Sequence, residues 1–482
     1  MKFVSSNTLL AFILSLFFIA FLAYGLSSHQ YIFLTIPALI SLIILPIINF
    51  KILFYFVIFL TPLSISLSEL GLSFSNINLA FPTEPILFGL MLLTIFQLLH
   101  NFSLFKPILR HPITMIILAY LFWMFITCIT STMPLVSFKM LLTRLWYIFP
   151  IFLMGALILK NTKSISYFVL CYTVPLLLVV VYTIIKHSSY FFSKASAHYM
   201  MSPFFNDHTS YGAVIAFFIP LLISVLWMKR QHILMKIFVV IMLLVFIIGL
   251  ILSFTRAAWI SLVLAGFCVL LLKLKINRKL LFFIPVFSVS IFFLFQTPIL
   301  DALQSNKQDS SDNLIEHFTS LSNISTDASN MERINRWKCA VNMFLEKPVF
   351  GWGPGTYQFQ YAPFQLHNDK TIISSNQGDM GNAHSEYLGP LAESGLLGLL
   401  FFLLLVSVVI IHAVNLYYTI QDQQIEILLL AIIAALLSYF IHGVFNNFLD
   451  TDKASVVLWS VISIIVSLDL FHNKKDVINS EK

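Results

Sequence analysis

The sequence predicts an all-α fold: a polytopic membrane helix bundle of about 12–14 transmembrane helices with one large extracytoplasmic loop. Three observations carry this. The chain of 482 residues is 59% hydrophobic and only 10% charged, with a mean hydropathy of +0.92, whereas a soluble domain carries roughly 25% charged residues. Apolar runs long enough to cross a bilayer recur along it, and their unbroken character excludes the alternating pattern of a membrane β-barrel. Lysines and arginines gather in alternate loops, as the positive-inside rule requires of a multi-span protein.

Taken in order, the runs place spans near 7–26, 30–49, 52–69, 85–101, 112–131, 137–159, 165–186, 209–228, 233–253, 257–273, 280–296, 393–416, 425–447 and 454–471, a working count of about fourteen at about twenty residues each. The first follows a lone Lys2 and is too long for the apolar core of a cleavable signal, and Ala20–Ser27 is a poor cleavage site, so it reads as a membrane helix. With the N-terminus inside, the inner loops carry Lys51, Lys106 with Arg110, Lys160 with Lys163, Lys229 with Arg230, the Lys273–Lys279 group, and Lys474 with Lys475. The intervening Ser27–Gln30, Gly71–Pro82 and Ser131–Pro134 carry neither residue type. Both termini are then expected in the cytoplasm and the interval from Thr297 to about Ala392 outside. The resulting organisation is 1–296 as helices with short loops, 297–392 as the large loop, 393–471 as C-terminal helices and 472–482 as a cytoplasmic tail.

This arrangement excludes several classes of function. The net charge of +7 is topological, since the basic residues are scattered among short loops and form no stripe for nucleic acid. Cys128, Cys171, Cys268 and Cys339 stand too far apart in sequence for a disulfide framework or a CxxC metal motif to be read. Outside the cell membrane there is neither ATP nor nucleotide sugar, so a reaction there uses a pre-activated donor.

The long polar interval is where chemistry is expected. It opens with a Ser-, Asn-, Asp- and Gln-rich linker, Gln304–Asn313 and Ser322–Asn330, too polar to bury a core. Ser329 with Glu332 reads as a capping box and Pro348 as a stop, predicting a helix over 330–346. Arg333, Trp337, Ala340 and Phe344 fall on one face of it, which suits a helix lying along the membrane surface. Gly351, Gly353 and Gly355, around Trp352 and Pro354, predict a turn whose backbone approaches a ligand closely.

Each candidate residue has two readings. Arg333 and Arg336 suit a phosphate or diphosphate, because the guanidinium fork accepts two oxygens at once, or they mark a solvated helix face. Arg256, in Ser253-Phe-Thr-Arg-Ala-Ala-Trp259, is an interfacial anchor or an anion ligand at membrane depth. Arg144, about 10 Å below the outer end of its helix at 1.5 Å per residue, snorkels outward or holds a lipid-linked anion. His384 suits a general base for a hydroxyl, or is a surface histidine ahead of a helix. Tyr387 follows it at helical spacing, and Glu393 orients a neighbour or favours its helix N-terminus. Asn206 or Asp207 is a good N-cap for the helix that includes His208 and Tyr211. Asp450-Thr-Asp452 is formally the short acidic pattern of metal-dependent glycosyltransferases, but it stands beside a turn and the early outer loops lack it, so no metal and no cofactor are expected.

Three segments, in order, resemble the O-antigen ligase and O-antigen polymerase superfamily of bacterial membrane glycosyltransferases. Ser253–Trp259 is similar to the family's Ser-x-Ser-Arg-Gly-Ala junction, Arg333-x-x-x-Trp337 with Pro348-x-x-Gly351-x-Gly353 to the start of its large periplasmic loop, and His384-x-x-Tyr-Leu running to Gly395 to its His-Asn-x-Tyr-Leu closing motif. Thr255 and Ala257 replace the usual Ser and Gly, and Ser385 stands where Asn is usual. The resemblance, over about 205–400, implies transfer of a glycan from an undecaprenyl diphosphate carrier to an acceptor hydroxyl of a glycan, lipid A-core or protein at the periplasmic face of the inner membrane. It implies His384 as base and Arg256 and Arg333 as a diphosphate clamp, with Arg336 assisting, and Arg144, Trp337, Glu393 and Tyr387 as further substrate-binding candidates. Ligase, repeat-unit polymerase and protein O-oligosaccharyltransferase share this donor. A lipid-linked oligosaccharide flippase is the alternative from another class, and it requires ionisable groups along a midplane cavity, where this chain carries little besides Arg144.

Overall fold

The computed structural model describes residues 50–69, 79–228, 232–274, 328–365 and 381–472. Within these residues the regular elements are helices, joined by turns and loops, apart from one two-strand pairing, β1 (Ile65–Ser66) with β2 (Ala80–Phe81), antiparallel. The helices are α1 (Phe50–Leu63), α2 (Thr83–His100), α3 (Phe102–Leu109), α4 (Pro112–Ile129), α5 (Pro134–Ile158), α6 (Thr162–Ser188), α7 (Lys194–Ala197), α8 (His208–Leu226), α9 (Ile233–Leu252), α10 (Arg256–Lys273), α11 (Ala328–Glu346), α12 (Tyr357–Gln360), α13 (Leu388–Thr419), α14 (Gln423–His442) and α15 (Asp452–His472). Ten of them are long and apolar enough to cross a membrane. The chain is a polytopic helical membrane bundle. The predicted spans 7–26, 30–49 and 280–296 and the polar linker before Ser329 lie outside the described residues.

The sequence-based bounds shift where local chemistry intervenes. The span expected over 52–69 ends at Leu63, because Pro62 closes the helix in a single 3-10 turn and the following residues pair as β1. The span expected over 425–447 ends at His442, where Gly443 to Thr451 turn the chain into α15. The span expected from 393 starts earlier, at Leu388, and breaks at Gly395, whose φ of 70° and ψ of −167° lie outside helical space. Inside α5 the segment Phe149–Met154 widens to a π-helix around Pro150, whose ring cannot join the regular ladder.

Burial separates interior from lipid-facing helices. The most apolar window of α8 is 89% buried and that of α15 is 83% buried, against 22% for α10 and 28% for α13. Small residues permit the interior contacts, since a side chain at Gly155 on α5 would run into Ser463 of α15. Successive spans alternate in direction, so α2, α5, α8, α10, α13 and α15 begin and α4, α6, α9 and α14 end at one face, which also carries α11. Cross-links tie this loop face together. Thr83 Oγ1 donates to Asp452 Oδ2 at 2.5 Å, Thr255 Oγ1 to the His208 carbonyl at 2.9 Å, and Thr132 N to the Trp352 carbonyl at 3.0 Å.

Candidate active site

Helix α11 spans Ala328–Glu346, and the side chain of Ser329, half of the expected capping box, lies outside the described residues. Glu332 accepts from Arg336 Nε at 2.6 Å, an i,i+4 pair with both side chains buried. The buried face is rotated from the expected one. Asn335, Arg336, Cys339, Ala340 and Met343 point inward, and Cys339, Ala340 and Met343 form a small core with Tyr357, Tyr361, Ala383 and Ala392. The Arg336 Cζ lies 3.8 Å from the centre of the Tyr361 ring, which stacks on Tyr357, and the Tyr357 hydroxyl donates to the Arg336 carbonyl at 2.8 Å. Gly381 abuts the guanidinium so closely that any β-carbon there would collide with it. Arg336 Nη1 is buried and makes no hydrogen bond.

The glycines at 351, 353 and 355 all have positive φ, at 67°, 111° and 74°. Their close approach is to protein. Gly351 packs on the backbone of Glu393, and Gly353 against Ser131 and Ser137. Trp352 N donates to the Ala392 carbonyl at 3.1 Å, Gly353 N to the Glu393 carbonyl at 2.8 Å, and Leu396 N to the Pro348 carbonyl at 3.0 Å. The turn therefore docks onto the kink at Gly395, and its last glycine, Gly355, also lines a cavity on this face. Glu393 serves the same docking, its carboxylate accepting from Tyr357 N at 3.1 Å.

His384 sits on the strand of chain entering α13 with a left-handed φ of 47°, a strained value for a residue with a side chain. Its N–H donates to Asn382 Oδ1 at 3.0 Å, and its carbonyl accepts from Trp337 Nε1 at 3.2 Å. Burial, followed by the charges of Arg333 and Arg336, pushes the imidazole down from its usual value near 6.5 to about 4. Ser385 Oγ accepts from the N–H groups of Tyr387 and Leu388 just ahead of α13, and the Tyr387 hydroxyl donates to the Phe440 carbonyl at 2.9 Å.

Behind His384 is a carboxylate that sequence reasoning passed over. Glu386 is buried, and its Oε1 accepts from the Tyr439 hydroxyl at 2.8 Å and from the N–H groups of Phe448 and Leu449 at 2.6 and 2.9 Å. Burial raises its pKa, against the opposing pull of Arg144 and the two backbone donors. Arg144 reaches outward to protein, with Nε left buried and without a hydrogen-bond partner. Its Nη1 donates to the Leu449 carbonyl at 2.5 Å, and its Nη2 pairs with Asp450 at 2.6 Å. Asp452 faces elsewhere, accepting from Ser64, Thr83 and Lys453, so the two carboxylates of Asp450-Thr-Asp452 serve separate structural partners.

Asp207 caps α8 as expected, accepting from the N–H groups of Thr209 and Ser210. His208, next in sequence, has its ring 4.2 Å from that of His198. Arg333 is within electrostatic reach of His208, His384 and His442, so it stands at the centre of the histidine-bearing side of the site. Arg256 opens α10, directly after Phe254 with φ of 51° and Thr255, whose hydroxyl holds the His208 carbonyl. The structure thus brings Arg333, Arg336 and His384 together and sets the Arg256 junction beside His208. Trp337, Tyr387 and Glu393 make bonds that fix the loop, and Arg144 is held against Asp450. Sequence reasoning did not single out His442, His198 or Glu386; the partners of Glu386 are 53 to 63 residues away in the chain.

Among the described residues one group has metal-ligand composition, His111, His412 and Asp469, at the face opposite the loop. His111 already accepts from Ile113 N and pairs with Asp469 at 3.0 Å, a tie between α4 and α15.

The fold and site define a class: a multi-span membrane protein whose arginines and a neutral histidine converge at one membrane-flanking face. Residues 241–403, from α9 into α13, match the family model for O-antigen ligase. This stretch, about a third of the chain, includes Arg256, Arg333, Arg336 and His384, and it supports the O-antigen ligase superfamily for this chain. What this stretch is similar to is, at the level of the family, an O-antigen ligase- or polymerase-type membrane glycosyltransferase. A search of curated proteins finds no match to the chain.

Proposed function

We propose that this chain transfers a glycan from an undecaprenyl diphosphate carrier to an acceptor hydroxyl at the periplasmic face of the inner membrane, without metal or nucleotide. The observation that carries the reading is a neutral histidine, His384, on which the charges of Arg333 and Arg336 both bear. In this mechanism Arg333, Arg336 and Arg256 hold the donor diphosphate, and the Arg336 Nη1 left without a hydrogen bond takes one of its oxygens. The acceptor oxygen attacks the anomeric carbon as the bond to the diphosphate oxygen breaks. The bonding pair leaves on the diphosphate, where the arginines stabilise the growing charge, and the hydroxyl proton passes to a ring nitrogen of His384. In-line displacement inverts the anomeric centre.

A donor diphosphate also offsets the two positive charges that hold His384 down, so the base strengthens when the donor is bound. Trp337, Tyr387 and Glu393 act as positioning residues in this scheme, with Trp337 fixing the His384 backbone. The acceptor is a glycan, lipid A-core or protein hydroxyl, the surrounding partner is membrane lipid, and nucleic acid has no part.

The test uses the purified full chain in liposomes with a labelled undecaprenyl diphosphate-linked glycan and an acceptor glycolipid. A new glycosidic bond with release of the lipid diphosphate is expected, abolished by His384→Ala and by Arg333→Ala at unchanged protein abundance. Movement of the donor across the bilayer with no new bond would replace this reading with a flippase. Full activity in either variant removes that residue from the mechanism.

A further inference from the structure

Two cavities of about 270 Å³ each open on the loop face and share a wall formed by Asn382, Asn447 and Asp450. The first is bordered by Ala383 and Ser385, the residues either side of His384, and the second extends toward Phe204, Phe205 and Asp207. At their junction the Asn447 amide is oriented by its neighbour. Its Nδ2 donates to Asp450 Oδ2 at 3.2 Å, which turns Oδ1 away as an acceptor that is buried and has no hydrogen-bond partner. A buried acceptor without a donor costs about 1–3 kcal/mol, so such an atom in a cavity wall marks where a ligand donor belongs.

The charge of the lining decides which ligand. In the second cavity Glu84, Asp207, Asp450 and Asp452 face one cation, Lys453, whose Nζ is already bonded to Ser64 and Asp452. In the first, Glu386, Glu393 and Asp450 face Arg144, whose two terminal nitrogens are taken by Leu449 and Asp450. The second cavity therefore offers no free cation to a phosphate or a sugar carboxylate, and its excess of carboxylates repels both, while in the first the one cationic donor left without a hydrogen bond is Arg144 Nε, buried on a guanidinium already paired with Asp450. Hydroxyl-bearing rings, by contrast, find acceptors in the carboxylates and amides and apolar walls in Phe204, Phe205, Tyr120 and Tyr357.

We infer that this double cavity is the acceptor site, binding uncharged sugars at the end of the acceptor glycan with a sugar hydroxyl donating to Asn447 Oδ1, and that it discriminates against phosphorylated or acidic sugars. The inference rests on the glycosyl-transfer reading above. The donor diphosphate is held in that reading by Arg333 and Arg336, neither of which lines either cavity, so the two substrates meet at His384.

The experiment measures transfer by the full chain to a neutral oligosaccharide glycolipid and to the same glycolipid carrying one phosphate on its terminal sugar, with donor consumption followed separately as released lipid diphosphate. The wild type is expected to favour the neutral acceptor at least tenfold. Asn447→Ala is expected to raise the acceptor KM roughly tenfold with the donor KM unchanged, the loss of one hydrogen bond. Asn206→Lys, an exposed position on the second cavity's rim, is expected to narrow the preference by admitting the phosphate. Equal use of both acceptors by the wild type, an unchanged acceptor KM in Asn447→Ala, or an unaltered preference in Asn206→Lys overturns the inference while transfer itself stands. No released lipid diphosphate with any acceptor sinks the glycosyl-transfer reading instead, and this site with it.

Discussion

His384 is held neutral by burial and by two neighbouring guanidinium groups, and this sets the pH behaviour of the site. With the imidazole pushed down to about 4, the acid limb of kcat/KM, which reports the free protein, is expected near pH 4, below the usual histidine range. Removing one cation relieves the effect, so Arg336→Ala moves that limb upward. The same substitution lowers kcat/KM at neutral pH roughly tenfold or more, the value of a charge-assisted hydrogen bond. A limb that stays in place in Arg336→Ala would mean that His384 is not the titrating base. The sign for stability follows from the same shift. Between about pH 4 and the usual value near 6.5 the unfolded chain binds a proton that folded His384 refuses. The contribution is present above that window and is lost as pH falls through it.

At the scale of elements, the site depends on the docking of the Gly351–Gly355 turn onto the Gly395 kink. The glycine spacing was visible in the sequence, and so was a turn, but the partner of that turn was not, because it lies some forty residues on in the chain and the bonds are backbone to backbone. Gly395→Ala meets both a positive φ of 70° and the Val349 carbonyl. A loss of about 1–3 kcal/mol is expected, read as a lower thermal unfolding midpoint in detergent, while Gly89→Ala, mid-helix with open space around it, is expected to hold or raise the midpoint, since alanine is the better helix former. An unaltered midpoint in Gly395→Ala would show that the kink is not a fixed hinge. Glu386 illustrates the other limit of sequence reading. It stands inside the quoted His384-Ser-Glu-Tyr motif, yet what makes it structural is three donors from α14 and the turn after it. The same holds for Asp450, whose pairing with Arg144 joins residues 306 positions apart. Periodicity locates helices and arginines, while partners at such distances appear only when the helices are packed.

For the whole molecule, the alternation of basic loops was the most legible feature, because the membrane imposes it on sequence directly. Ten of the eleven expected spans that fall on described residues are helices long enough to cross a membrane, the eleventh, 52–69, is a shorter helix ending at Leu63, and the junctions predicted to share one side do converge on one face. That face carries the candidate site, so its compartment decides whether the donor is a lipid diphosphate or a soluble nucleotide sugar. Helix α6 offers a clean test, because 27 residues separate its ends, about 40 Å at 1.5 Å per residue. Lys163 is exposed at its first turn, and Phe191 is 94% exposed just beyond its last. In a variant whose four native cysteines are replaced, Phe191→Cys is expected to react with a membrane-impermeant maleimide in intact cells. Lys163→Cys is expected to react only after the membrane is opened. The reverse pattern would put Arg333 and His384 in the cytoplasm, where nucleotide sugars are available, and would remove the physical reason for a lipid diphosphate donor.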